Sequence, residues 1–468
     1  MSAKPILILQ MQRMGDLILS FPLFLWLQRE YPGHPLWVVG EPRFYEALLT
    51  ISPAVTYFPW QAAEQVRDTS LALCINLSHE RSAAVLAGMV RAERHVGSVQ
   101  GADGALRVHG RWQLYRTGLV HANRHNRFHW AELNSLDCVP LKRIADTRWP
   151  LPRACLGDRR RIGLFLGASE LSKRPEPGFW ATLARELLHR DLRPILLGGV
   201  DETKLAAAVQ QQVGHNILNL AGRLSLSQLV NLGQTLELLV TPDTGPMHLA
   251  AWTGLRTLNL SMGPVNPWET GPYQPGHHVL QPRISCAGCW SCGHASHRCR
   301  EAFLPRRVAQ LVHALASPEN RIAGKLRSAG GNLFGTSKSP EGLYRLHRLL
   351  PEHTPRSARD MLDAFWSLFW GSSHGLWTKE IPQSAWDELN HAFPALTKAF
   401  AGFLFSFYRK LRQARDENFW HQGPQALRPL YSQVHVILQN GDFSRKSAAE
   451  ALELTEALLQ IAAGDHSL

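Results

Sequence analysis

The stretch Val240-Thr241-Pro242-Asp243-Thr244-Gly245-Pro246-Met247-His248-Leu249-Ala250-Ala251 carries the clearest chemistry in the chain. An apolar run from Leu236 to Val240 stops at a Pro-Asp-Thr-Gly turn, and a small-residue helix begins at once. That junction predicts free backbone N–H groups, a hydroxyl and an imidazole at the C-terminal edge of a parallel sheet. Helix N-termini at such an edge bind phosphates, because unpaired N–H groups and the helix dipole both favour negative charge. The Asp243 carboxylate would repel a phosphate, so it is expected to accept hydrogen bonds from a ribose or sugar hydroxyl. Thr244 and His248 lie four residues apart, hence on one helix face with Gly245 between them, and His248 can donate to a phosphate oxygen. A nucleotide sugar is the natural ligand of this arrangement.

Three more groups have chemical potential. Asp16 follows Gly15 directly after the first apolar strand, where a carboxylate can project into a cleft between domains; its plainer role is to offset a helix dipole. Gly15 permits a tight backbone approach. Lys173 and Arg174 sit in the loop after the apolar run Arg161–Ala168, facing the same edge as Asp243. A cation there can neutralise a departing diphosphate, and Ser169 can touch phosphate or simply turn the chain. Asp201 and Glu202, after Gly198-Gly199, are placed to bind ribose hydroxyls. Finally, Cys286, Cys289, Cys292 and Cys299 form C-x₂-C-x₂-C-x₆-C with His294 and His297 interleaved. Four soft ligands that close suit a structural zinc or iron; the alternative is four reduced thiols. No Asp-x-Asp metal motif lies near these sites.

The elements that must hold these residues alternate between short apolar runs and helical patterns, as a parallel α/β sheet requires. Strands are predicted over residues 6–10, 36–40, 54–58, 71–77 and 95–99, then 161–168, 193–199, 217–220, 237–241 and 256–260. A helix from Asp16 to Glu30 begins with an acid and stops before Tyr31-Pro32-Gly33. Between Gly101 and His129 the pattern weakens and Arg, His and Asn accumulate. A long surface loop over the cleft is expected there, with Arg111–Arg127 as candidate acceptor contacts. Residues 324–342, rich in Gly, Ser and Lys, read as a linker. Beyond it, Leu396, Phe400, Phe403, Phe407 and Leu411 recur at helical spacing. They predict the buried stripe of a small bundle; a membrane-surface helix with a basic end is the alternative.

Four ordered motifs carry a family resemblance. They are Met14-Gly15-Asp16-Leu17-Ile18-Leu19-Ser20-Phe21-Pro22, Leu166-Gly167-Ala168-Ser169 with Lys173-Arg174-Pro175, Asn219-Leu220-Ala221-Gly222-Arg223-Leu224-Ser225-Leu226, and Asp243 to Ala251 followed by Gly263-Pro264-Val265-Asn266-Pro267. Together they resemble glycosyltransferase family 9, the ADP-heptose:lipopolysaccharide heptosyltransferases. The resemblance implies an α/β fold of GT-B type, with two Rossmann-like domains facing a cleft. It implies an inverting transfer of heptose from ADP-heptose to a lipopolysaccharide-type or other glycan acceptor. Asp16 then becomes the catalytic base and Lys173 the diphosphate cation, with Gly15, Ser169, Arg174, Asp243, Thr244, Gly245 and His248 binding the donor. The resemblance implies catalysis by protein dipoles and cations, with no cofactor required. The family's Lys-x-Trp-Pro stands here as Lys173-Arg174-Pro175, without the tryptophan, which brings Arg174 into the site. The helix near Pro305–Ala316 would cross back to the first domain. Some relatives hold a metal on a four-cysteine finger in the loop that carries Cys286 to Cys299 here.

The expected domains are residues 1–150 on the acceptor side, 151–323 for the nucleotide sugar, the linker 324–342, and an all-helical extension 343–468 of unassigned role. A net charge of +12 suits anionic partners: a nucleotide sugar, a lipid-linked acceptor, or the inner face of a membrane. The cations are scattered and no nucleic-acid module is present, so nucleic acid is not expected. No apolar run is long enough to span a bilayer, and the N-terminus lacks a signal-peptide layout. A cytoplasmic location, peripheral at the inner membrane, is therefore expected. Two other functions fit the same features: a GT-B sugar-nucleotide epimerase, which needs no acceptor, and a non-catalytic scaffold.

Overall fold

Two twisted sheets, each covered by helices, stand side by side in the computed structural model, which describes residues 3–214, 217–294, 296–317, 331–349, 356–378, 380–413 and 423–463. In the first sheet Thr56–Pro59, Leu36–Gly40, Ile6–Leu9, Leu73–Asn76 and His95–Gln100 run parallel in that spatial order. Leu106–His109 closes one edge antiparallel. Every side chain of Ile6–Leu9 is buried, as a strand covered on both faces demands. In the second sheet the order is Leu218–Asn219, Arg193–Leu197, Arg161–Phe165, Leu238–Pro242, Thr257–Leu260 and His278–Pro282, all parallel. Thus two Rossmann-like units are followed by a C-terminal helical extension, and the strands read from the sequence are present with ends shifted by a few residues.

Residues 331–342 are not linker, and the extension is not wholly helical. Gly331–Lys338 pairs antiparallel with His278–Pro282, and Tyr344–Arg348 pairs with Gly331–Lys338, so a hairpin extends the second sheet. Residues 324–330 of the expected linker lie outside the described residues. The glycines hid the strand, yet each has a packing reason. A Cβ on Gly335 would stand 2.7 Å from the imidazole of His347 on the partner strand. Alternation in the second strand is clean, with Tyr344 and Leu346 buried and Arg345 and His347 exposed.

The stretch 101–129 is not a loop over the cleft. It forms the edge strand, a helix Arg111–Gly118 and a 3-10 turn Asn123–His125; residues 101–110 stay largely exposed, while the helix and the turn are mostly buried. The reason is the extension, whose helices Ala358–Ser373 and Arg428–Asn440 lie against this stretch. Trp112 and Tyr115 pack on His374 and Trp370, with ring centroids 4.7 and 5.4 Å apart. Asn440 accepts from Val108 N (2.7 Å) and donates back to Val108 O (3.1 Å), which satisfies the exposed edge of Leu106–His109. The first-domain core and the extension therefore form one continuous hydrophobic cluster.

Helix Pro305–Ala316 does not cross back to the first domain. Its buried face, including Val308, Leu311, Val312 and Leu315, joins the core of the second domain. The bundle stripe also differs in one position. Helix Pro394–Gln413 buries Phe400, Leu404, Phe407 and Leu411, while Phe403 is 53% exposed, because the buried line follows the four-three spacing through Leu404.

Candidate active site

Asp16 and Asp243 enter one cleft from opposite domains. The first sheet reverses its strand order at Ile6–Leu9, the second between Arg161–Phe165 and Leu238–Pro242. Ligands bind beyond the carboxyl ends of strands at such reversals. From the first, the chain enters helix Met14–Glu30, with Asp16 in its first turn. From the second, Asp243-Thr244 leads into helix Gly245–Trp252, with Thr244 at the N-cap. The two helices meet at these ends. A Cβ on Gly15 would stand 3.2 Å from His248 Cδ2 and 3.4 Å from Gly245 Cα. One on Gly245 would stand 2.6 Å from Met14 Cε. Glycine on both sides lets the two backbones approach. Phe21 and Trp252 continue the contact edge to face at 5.2 Å, and Trp252 Nε1 donates to Ile51 O at 2.9 Å.

The charges here work on each other. Burial pushes the Asp16 carboxyl above its ordinary range, aided by the Asp243 charge, while His248 and Arg116 act the other way. Burial likewise raises Asp243, against Lys173 and the Thr270 hydroxyl, which donates to Asp243 Oδ2 at 3.1 Å. His248 Nε2 lies 3.9 Å from Asp243 Oδ1. Burial holds the imidazole of His248 down at about 4, so near neutral pH it is a neutral hydrogen-bonding group. Its Nδ1 is buried with no partner among the described residues. With His248 neutral, the standing cations that act on Asp16 are Arg116 and, less strongly, Arg13. Arg116 is buried on helix Arg111–Gly118, stacks over Trp130 at 4.4 Å, and keeps its charge despite a downward shift to about 10. No carboxylate-bound hydrogen bond occupies Asp16 among the described residues; its backbone carbonyl accepts from Ser20 Oγ at 2.9 Å.

Lys173 ends the 3-10 turn Leu171–Lys173, partly buried, its Nζ 3.5 Å from Glu170 Oε1 and its charge felt by Asp243 and His248. Arg174 points to Glu202 at 3.5 Å. Glu202 also accepts from Gly199 N at 2.9 Å, so this acid is already engaged where the sequence suggested a ribose contact. Ser169 is exposed, and its hydroxyl and that of Thr244 have no partner among the described residues. The structure thus gathers Gly15, Asp16, Lys173, Asp243, Thr244, Gly245 and His248, with Arg174 and Ser169 at the rim. Arg116 and Thr270 belong to the same constellation. Sequence reasoning missed their roles, because neither lies in a motif with the residues it faces.

The four cysteines converge beside this cleft. Cys286, Cys289, Cys292 and Cys299 line one small cavity together with Gly263, whose N–H donates to Cys299 Sγ at 3.3 Å. Burial first, then the other three thiols, raise Cys289. Among the described residues no group of ligands stands in metal-holding geometry, but the donor set is four soft sulfurs around one void, which fits zinc or iron.

Comparison with known proteins points the same way. The family model of glycosyltransferase family 9 (heptosyltransferase) matches residues 128–296. Lipopolysaccharide heptosyltransferase 2 of Salmonella typhimurium is 27% identical over 176 residues, 35% of this chain and 48% of that protein. Lipooligosaccharide heptosyltransferase 2 of Haemophilus influenzae is 31% identical over 124 residues, 25% and 36% respectively. The chain therefore spans about half or less of the curated relatives it matches. Among solved structures, ADP-heptose lipopolysaccharide heptosyltransferase II of E. coli superposes with a TM-score of 0.50 at 21% identity, covering 67% of this chain and 98% of that one. A family 9 glycosyltransferase from Veillonella parvula gives 0.52 at 18%, covering 68% and 98%. The fold is thus of GT-B type, and residues 128–296 are related to glycosyltransferase family 9.

Proposed function

We propose that this protein is an inverting glycosyltransferase that moves heptose from ADP-heptose to a lipopolysaccharide-type acceptor. The observation that carries the reading is the meeting of Asp16, from one domain, with Asp243, His248 and Lys173 from the other. Asp16, raised by burial toward the working range of a general base, takes the proton of an acceptor hydroxyl as its oxygen attacks the anomeric carbon. The bond from that carbon to the diphosphate oxygen breaks on the opposite face, so the configuration inverts. Lys173 and the N–H groups at the start of helix Gly245–Trp252 receive the charge that develops on the diphosphate. Asp243 holds a sugar or ribose hydroxyl, and neutral His248 donates to a phosphate oxygen or that hydroxyl.

The reading extends to setting. The basic chain would work in the cytoplasm against the inner membrane face, where a lipid-linked anionic acceptor is made. Among the described residues no helix is long and apolar enough to cross a membrane. The four-thiol cavity would hold a structural zinc or iron that staples the loop beside Gly263 and takes no part in transfer. Metal content of the purified protein, and its loss in Cys289→Ser, tests that assignment.

The main test is a panel of ADP-, UDP- and GDP-linked sugars offered to the wild type and to Asp243→Ala. Selective binding of ADP-heptose, lost in the variant, with nucleotide release only when acceptor is present, supports the transfer. Nucleotide release without acceptor moves the reading to hydrolysis or epimerisation. Absence of binding by the folded protein leaves the scaffold.

A further inference from the structure

Thr270, whose hydroxyl donates to Asp243, is held on both sides by the first domain. Its neighbour Glu269 is 4% exposed, and its two oxygens accept from Asn123 Nδ2 at 2.7 Å and Asn126 Nδ2 at 3.0 Å. Its other neighbour, Gly271, accepts at its carbonyl from His129 Nε2 at 2.9 Å. His129 Nδ1 accepts from Ala131 N at 3.2 Å, which fixes the tautomer that carries its proton on Nε2. Asn266, at the N-cap of helix Pro267–Thr270, returns the contact. Its Nδ2 donates to Asn123 O at 2.8 Å and to Asn126 O at 2.9 Å. Asn123, Asn126, His129, Asn266 and Glu269 are all buried.

The first-domain side of this junction is anchored to the extension. Asp363, on helix Ala358–Ser373, binds His125 at 2.5 Å and Arg127 at 3.0 Å, the two residues that flank Asn126. Arg127 also stacks at 4.1 Å on Trp268, the residue before Glu269. One short segment is thus gripped from two sides: the Asn123 and Asn126 amides bind the second domain, and His125 and Arg127 bind the extension. A buried polar network of this kind holds one arrangement, because a shift leaves desolvated groups unpaired. It reaches the donor site at Thr270, which donates to Asp243 Oδ2 at 3.1 Å.

We propose that Glu269 is a positioning residue of the donor site: through Thr270 it fixes the Asp243 carboxylate to the first domain and, by way of Asp363, to the helical extension. The donor site of the second domain is then complete only when the first domain and the extension are docked against it, which gives the extension a part in donor binding. This rests on the reading of Asp243 as the group that holds a sugar or ribose hydroxyl. Such a contact needs its acceptor held to within about 0.5 Å, a precision that the surrounding residues must supply.

Glu269→Gln keeps the side-chain volume and sets a second amide against those of Asn123 and Asn126. Burial raises the Glu269 carboxyl to about 7, against those two amides, so the measurements belong at pH 8, where the carboxylate is ionised. The first is hydrogen exchange of the unliganded full chain over residues 243–248. Glu269→Gln and Thr270→Val should each speed it about ten-fold, and the double variant no more than either one, with helix Pro177–Leu188 unchanged. Asn123→Ala, which withdraws one amide but keeps its backbone carbonyl for Asn266, is the milder second variant, expected at about three-fold. Asp363→Ala should act in the same direction from the far end. The second measurement is titration with ADP-heptose. Glu269→Gln should weaken binding about ten-fold in the wild-type background and less than about two-fold in Thr270→Val, whereas general destabilisation would act alike in both. Unchanged exchange over residues 243–248 in both Glu269→Gln and Asn123→Ala, or effects of Glu269→Gln and Thr270→Val that multiply, overturns the proposal. Faster exchange in these variants, when the wild type binds no nucleotide sugar, upholds the positioning of Asp243 and overturns the transfer reading instead.

Discussion

Replacing Glu132 by Ala tests the junction that the sequence concealed. Glu132 belongs to the first domain and is fully buried. It accepts from Tyr273 Oη at 3.2 Å, from His129 N at 3.3 Å and from Tyr344 N, and it lies 3.8 Å from Lys338 Nζ. Tyr344 and Lys338 come from the hairpin and Tyr273 from the segment that leads into strand His278–Pro282, so all three lie on the second domain's side. Lys338 Nζ has no hydrogen bond of its own and sits 3.1 Å over the Tyr273 ring. Glu132→Ala therefore strands a buried ammonium and three donors, at a cost of about 3–5 kcal/mol. Lys338→Met removes a cation whose desolvation is incompletely offset and leaves Glu132 with its three donors; about 1 kcal/mol or less is expected.

The double variant should then be about 1–2 kcal/mol more stable than Glu132→Ala alone, because it no longer buries a lysine without its partner, giving a coupling of about 2 kcal/mol. The assay is native-state hydrogen exchange at Gly331–Lys338, with urea unfolding as the global measure. The pH response has a definite sign. Burial already holds Lys338 down to about 7, with Glu132 acting upward. Without Glu132 it falls further, whereas the unfolded lysine titrates near about 10.4. Between these values the unfolded chain binds more protons, so Glu132→Ala should regain stability as pH rises from 7 to 9. Additivity of the two single changes within about 0.5 kcal/mol, or a flat pH response, would refute the reasoning.

Asp16→Asn should lower kcat about 10²- to 10⁴-fold while donor affinity changes little, and wild-type kcat/KM should rise with pH through the raised carboxyl of Asp16, as initial rates across pH would show. Buried His248 and His277, held at about 4 and about 3 by burial, stay neutral in the fold while the unfolded imidazoles protonate near about 6.5. Stability should therefore be lost as pH falls from about 6.5 toward 4, by about 3 kcal/mol for His248, and His248→Gln should flatten that slope in urea titrations. Asp363 binds His125 Nδ1 at 2.5 Å and Arg127 at 3.0 Å; burial opposes its charge, but Arg127 and His125 prevail and hold its carboxyl below the usual range. Asp363→Ala should cost about 3–5 kcal/mol and raise hydrogen exchange in helix Ala358–Ser373, leaving helix Pro177–Leu188 unchanged.

Local order fixed much of this protein before any tertiary contact. Apolar runs such as Ile6–Leu9 and Leu238–Pro242 can only be covered strands, and the Asp-Thr-Gly-Pro junction can only open a helix, so both sheets and the position of Asp243 were legible. Asp16 was legible for the same reason, as the acid that follows the first strand. Composition misled where a residue's neighbours lie far along the chain. Gly331–Lys338 has a linker's residues, yet it is a strand because the open edge of His278–Pro282 needs a partner and His347 needs the space over Gly335. The Arg- and His-rich stretch 101–129 has a loop's polarity, yet it is ordered, and buried from Trp112 on, because Asp363, Asn440 and the aromatic face of Ala358–Ser373 satisfy it from more than two hundred residues away. Only the folded chain puts Arg116 before Asp16, or Lys338 against Glu132. Charge pairing in a low-dielectric interior depends on distance through space, and sequence spacing carries no record of that distance.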